Sequence, residues 1–170
     1  MSAVSVSQRG PIFAKIDVGE KHRQAPASKA RDCTVRALSV AAAISYPAAW
    51  ELLYKHQGVC KSNCFDLNAL LDQRLTDSVF IRLANQNNHG SWSHEWTVRA
   101  ALAFPAMKGK PRMTPGAFAR AHPKGRYVLS LAHHNVAVRE GIVIDIWDCT
   151  KRCVYKAWEI ELPGNRSEES

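Results

Sequence analysis

The chain has 170 residues, 46% of them hydrophobic and 22% charged, with five cysteines and a formal charge of +8. That length and balance suit one domain with an ordinary apolar core, without disulfides or a structural metal to hold it. They exclude a membrane span, since no run approaches about 20 apolar residues.

Met1 to Arg9 lacks the basic-then-apolar order of a secretion signal. The expected compartment is therefore the cytoplasm, with the cysteines reduced. The positive charge invites nucleic acid as a partner. However, Lys15, Lys21, Lys55, Arg82, Lys108, Lys110, Arg120 and Lys124 are scattered singly. The charge reads as solubility, or an acidic partner, ahead of a dedicated nucleic-acid surface.

Residues 1–10 are small and polar and read as a frayed end; Ile12 to Val18 alternates as a short strand. A turn-rich segment, Gly19 to Lys29, leads into a helix that opens at Asp32-Cys33 and ends near Ser45-Tyr46. Pro47 starts a second helix, to Gln57, which Gly58 stops. After a loop at Cys60 to Asn63, Phe65 to Arg74 predicts a third helix and Ser78 to Leu83 a short strand.

Asn85 to Ser91 is loop-like, and Ser93 caps a helix expected to run to about Phe104. Thr114 caps another, Pro115 to Ala121. The final third changes to strands: Tyr127–Leu131, His134–Val138, Ile142–Trp147 and Val154–Ile160. The expected class is α+β, one domain over 1–163 with the helix that opens at Asp32-Cys33 packed on a C-terminal antiparallel sheet, and a disordered tail at 164–170.

Chemistry concentrates in two places. In the first, Asp32 reads as an N-cap and Val35, Leu38, Ala41, Ala42 and Ile44 form an apolar stripe. Cys33 then sits in the first helical turn, where unpaired N–H groups and the helix dipole favour a thiolate. The same position also suits a small buried hydrophobe, so a partner has to decide between the two.

The second place supplies that partner. Glu140-Gly141 reads as a hairpin turn, which sets Val138 opposite Val143 and makes His134 and Asp145 diagonal neighbours on one face. A glycine-bulge loop would shift the register by one, pairing His133 with Asp145 and His134 with Asp148. His134 is preferred because its face continues into Val136 and Val138, whereas that of His133 continues into Asn135 and Arg139. Trp147, beside His134, would wall the site. A thiol, an imidazole and a carboxylate form a nucleophile–base–orienter set.

This order of residues resembles the papain-like cysteine peptidases: Asp-Cys opening an apolar helix, a helix-rich middle, then Gly-Arg-Tyr, His134, Val136, Ala137, Val138, Gly141 and Asp145. The likeness runs from about Arg31 to Trp147. It is closest to small bacterial and bacteriophage members and more distant to the peptidases that trim double-glycine leaders. It implies Cys33 as nucleophile, His134 as general base, Asp145 as orienting residue, no cofactor, a protein or peptide substrate, and the host cytoplasm for a phage-encoded chain. It also implies a polar oxyanion donor some six residues before the cysteine. Ala27 stands there, and Gln24, nine before, is the available substitute. A phage-type protein on such a scaffold could instead grip a host protein without catalysis.

Two further pairs, Cys60/Cys64 and Cys149/Cys153, have the count of a four-cysteine zinc site, but with three-residue gaps and no flanking knuckle glycines. Unconnected thiols are the plainer reading.

Overall fold

The computed structural model describes residues 10–24, 26, 29–57, 65–86 (backbone alone over 78–86) and 96–163. Among these are four helices and a six-stranded mixed sheet, an α+β arrangement. The elements are β1 (Phe13–Lys15), α1 (Cys33–Ala42), α2 (Tyr46–Gln57), α3 (Leu67–Gln86), β2 (Thr97–Ala103), α4 (Pro115–Ala121), β3 (Arg126–Leu131), β4 (His134–Arg139), β5 (Ile142–Asp145) and β6 (Val154–Glu161). The strand order is β1-β5-β4-β3-β6-β2. β1 runs parallel to β5, and every other pairing is antiparallel. No helix among the described residues is long and apolar enough to cross a membrane.

The sheet is covered on both faces. On one side Val35, Leu38, Leu53, Leu67 and Leu71 from α1, α2 and α3 pack on Val98, Val128, Ala137 and Trp158. On the other, Phe118 and Ala119 of α4 pack on Leu129, Val136, Val138, Val143 and Ala157. The buried Trp158 indole donates from Nε1 to Asp72 at 2.8 Å, so its one polar atom is satisfied. Thr114 caps α4 as its sequence predicts, accepting the Ala117 N–H at 3.2 Å.

Three expectations about the middle of the chain are corrected. The strand at Ser78–Leu83 is instead the second half of α3. No Gly or Pro interrupts 67–86, so a helix already nucleated on Leu67, Leu70 and Leu71 propagates through the β-branched cluster. The helix expected up to Phe104 is instead β2, its cap at Ser93 lying outside the described residues. Its alanines favour a helix in isolation, but pairing with β6 (Val98 opposite Ile160, Ala101 opposite Trp158) overrides that propensity. The sheet is accordingly mixed rather than purely antiparallel and C-terminal, because β1 and β2 join its two edges.

The hairpin that matters for the site has the expected register. Val138 pairs with Val143 and Ala137 with Ile144 around Glu140-Gly141. Both turn residues have positive φ, 50° and 73°, the geometry of a two-residue type I′ turn. Glycine supplies this freely; Glu140 takes it with its carboxylate accepting the Gly125 N–H at 3.2 Å.

Candidate active site

α1 packs chiefly on β4, and this contact brings Cys33 to His134. His134 stands at the first position of β4 and Asp145 at the last of β5. The imidazole Nε2 lies 2.5 Å from Asp145 Oδ2, a short charge-assisted hydrogen bond. The sulfurs of Cys33 and Cys149 also lie within hydrogen-bonding reach of the ring. The three residues singled out by sequence are therefore brought together.

The two sulfurs differ. Burial pushes the Cys33 thiol up, but hydrogen bonds from His134 and from the Asn135 backbone N–H outweigh it, and the net shift is downward. For Cys149, which is fully buried, burial prevails and its thiol is raised. Burial works against an imidazolium at His134; the Asp145 carboxylate and both sulfurs outweigh it and raise the ring to about 11. The opposed shifts favour a Cys33 thiolate facing a protonated His134, while Cys149 is held towards the neutral thiol.

Asp145 is 4% exposed and fully engaged. Its Oδ1 accepts the Ile146 N–H at 2.8 Å and Arg36 Nη2 at 3.2 Å, while Oδ2 faces His134. Arg36, itself 5% exposed, also pairs through Nη1 with Asp32. Asp32 holds Arg23 at 3.0 Å and the Tyr46 hydroxyl at 2.9 Å. Asp32 occupies the N-cap position expected of it, its carbonyl accepting the Arg36 N–H at 3.0 Å, but its carboxylate does not do the capping. Its side chain makes no capping hydrogen bond. It is drawn onto two guanidiniums, and the first-turn N–H groups of α1 are left to other acceptors.

Gly19 makes room for this cluster. A Cβ there would stand 2.7 Å from Arg23 Nη1 and 2.8 Å from both Asp32 Oδ2 and Tyr46 Cε2. Gly19→Ala is expected to cost roughly 1–3 kcal/mol by forcing these groups apart. Thermal unfolding checks it, and an unchanged midpoint would show that the cluster gives way easily.

The alternatives fall away. His133 occupies the tight turn before β4 at φ 53°, and its side chain is exposed, so the bulged register is not the one adopted. Asp148 is exposed, its carboxylate accepting the Thr150 N–H and hydroxyl at 2.9 and 2.6 Å. Trp147 does stand by the site, its ring centroid 5.2 Å from that of His134 and 40% exposed, although β5 ends two residues before it. Gln24 is exposed. It lines a cavity of about 650 Å³ whose walls include Lys29, Arg31, Asp32, Val35, Tyr46 and Trp50, residues on either side of Cys33 in the chain.

Metal ligation fits these residues less well than a triad. The donor atoms of His134, Asp145 and Cys149 all lie within 4.8 Å of one another. However, two donors on one tetrahedral zinc ion stand about 3.3 Å apart, and His134 and Asp145 are in direct hydrogen-bond contact at 2.5 Å. The four-cysteine set is not assembled among the described residues. Cys149 is buried against His134, Cys153 is exposed, and Cys60 and Cys64 lie outside the described residues.

Two contributors escaped the sequence reading. Arg36 carried a local signal: a charge four residues from Asp32 on a helix otherwise apolar along its inner face. Cys149 carried none beyond being a cysteine, because its approach to His134 depends on the turn after β5. No family model, curated protein or solved structure matches the chain.

Proposed function

We propose that the protein is a thiol hydrolase of papain-like type that cleaves a peptide, isopeptide or related amide bond through Cys33, His134 and Asp145. The observation that carries the reading is the pairing of a depressed Cys33 thiol with a protonated His134 held on a buried carboxylate. Cys33 Sγ attacks the carbonyl carbon. The C–N bond breaks as His134 gives its proton to the leaving amine, and a thioester remains. Water, deprotonated by His134, then attacks the thioester, and the acid product leaves with Cys33 regenerated as the thiolate. Because the Asp32 carboxylate does not cap α1, the N–H groups at the helix start are available to the oxyanion, with Gln24 as the side-chain candidate. The cavity beside Asp32, with aromatic Trp50 and cationic Lys29 and Arg31 in its walls, suits a polypeptide on the N-terminal side of α1.

The pH dependence follows from the two shifts. The His134 contribution to stability is complete below the ordinary imidazole value of 6.5 and drains away as pH rises to about 11. The Cys33 contribution is complete above the ordinary thiol value of 9.0 and is lost as pH falls through its lowered value. The ion pair therefore occupies the range between the lowered Cys33 value and the His134 value of about 11. Iodoacetamide is expected to modify Cys33 with a pH–rate profile displaced below that of free cysteine, whose rate slows about tenfold per unit as pH falls below its own value. Mapping the alkylated residue by mass spectrometry checks this. A Cys33 rate that tracks free cysteine would reject the hydrolase and favour the non-catalytic binding module.

A further inference from the structure

We infer that Arg36 is a positioning residue for this site: anchored on Asp32, its guanidinium holds the Asp145 carboxylate so that Oδ2 stays on His134. The inference rests on the hydrolase reading and adds the device that keeps its orienting residue in place.

The geometry is a line of alternating charges. Asp17 pairs with Arg23, Arg23 with Asp32, Asp32 with Arg36, Arg36 with Asp145, and Asp145 with His134. It starts in the loop after β1, passes through the first turn of α1 and ends on the β4–β5 hairpin. Arg36 is its one link between the helix that carries the sulfur and the strand that carries the carboxylate. Its two terminal nitrogens are divided, Nη1 to Asp32 and Nη2 to Asp145.

Stability alone is a poor account of this arrangement. Burying a guanidinium and its carboxylates costs several kcal/mol in desolvation, and apolar residues of similar volume often do as well. Here the burial also leaves Arg36 Nε without a hydrogen-bond partner, a further cost. The arrangement does restrict Asp145. With Ile146 N–H and Arg36 both on Oδ1, the carboxylate cannot rotate without breaking two bonds, and Oδ2 is presented to the imidazole. A lysine could satisfy one carboxylate as a point charge but could not span both with a planar fork.

The test uses Arg36→Lys and Arg36→Gln, with Asp32→Asn as a milder variant that keeps the Arg36–Asp145 contact while weakening its anchor. The readouts are thermal unfolding and the pH–rate profile of Cys33 alkylation by iodoacetamide, neither of which needs a substrate. Near pH 6 the rate is expected to fall about tenfold in both Arg36 variants, with a smaller loss in Asp32→Asn, as when orienting partners are removed from other reactive sites. A structural role alone would lower the unfolding midpoint and leave the profile of the folded protein unmoved. Folded variants that alkylate at the wild-type rate would overturn the inference. If Arg36→Gln does not fold, Arg36→Lys and Asp32→Asn decide in the same way. A wild-type profile that tracks free cysteine would instead fail the hydrolase reading itself, so the two failures are separable.

Discussion

Cys33→Ala is expected to reduce hydrolysis of a dye-quenched denatured protein substrate on the order of 10⁴-fold or more, while the unfolding midpoint moves by only a few degrees. The size of the loss follows from the covalent route proposed above: without sulfur that route forms no acyl-enzyme, and what is left is whatever binding and oxyanion donors accomplish with water. The stability change is small because Cys33 is only partly buried and the alanine keeps the helix start intact. His134 keeps its contact with Asp145 in the variant. Undiminished turnover with Cys33 absent would sink the mechanism, and Cys149 would be the next thiol to test.

Asp145→Ala should be the most damaging single change in the hairpin, because it strikes stability and chemistry together. Asp145 and Arg36 are both almost wholly buried and in contact. Removing one partner leaves the other's charge buried with less compensation, a loss of about 3–5 kcal/mol in comparable sites. Asp32 still holds Arg36, which points to the lower end of that range. In chemistry, His134 loses the carboxylate that raises and orients it, and activity is expected to fall by about two to four orders of magnitude. Asp145→Asn separates the effects: the shape is kept, a hydrogen bond can still form, and the negative charge is gone. Denaturant unfolding of both variants beside their hydrolysis rates measures the split. Full activity in folded Asp145→Ala would show that His134 needs no orienting partner.

The legible parts of this molecule were those in which local pattern and tertiary context agree. The β4–β5 hairpin is the clearest case. The Glu140-Gly141 turn, the Val136/Val138 face and the spacing to Asp145 specify one register, and that register carries His134 to Asp145. The start of α1 at Cys33 was equally readable. What escaped depended on distant partners. β2 is an alanine-rich segment turned into a strand by β6, some sixty residues on. Asp32 reads as a cap from its neighbours and becomes a charge anchor only when Arg23 and Tyr46 fold over it. Arg36 has its partner on a strand more than a hundred residues away, so its contact with Asp145 is visible only in the folded chain.

The division of labour between helix and hairpin also sets a timetable. His134 and Asp145 sit eleven residues apart across one tight turn, so they can meet early and locally, whereas the sulfur must arrive from about a hundred residues upstream. During synthesis the order is inverted. The cysteine leaves the ribosome first, and the histidine and the aspartate follow about a hundred residues later. A nascent chain that stops before His134 thus carries the Cys33 sulfur without the side chain whose hydrogen bond lowers its thiol.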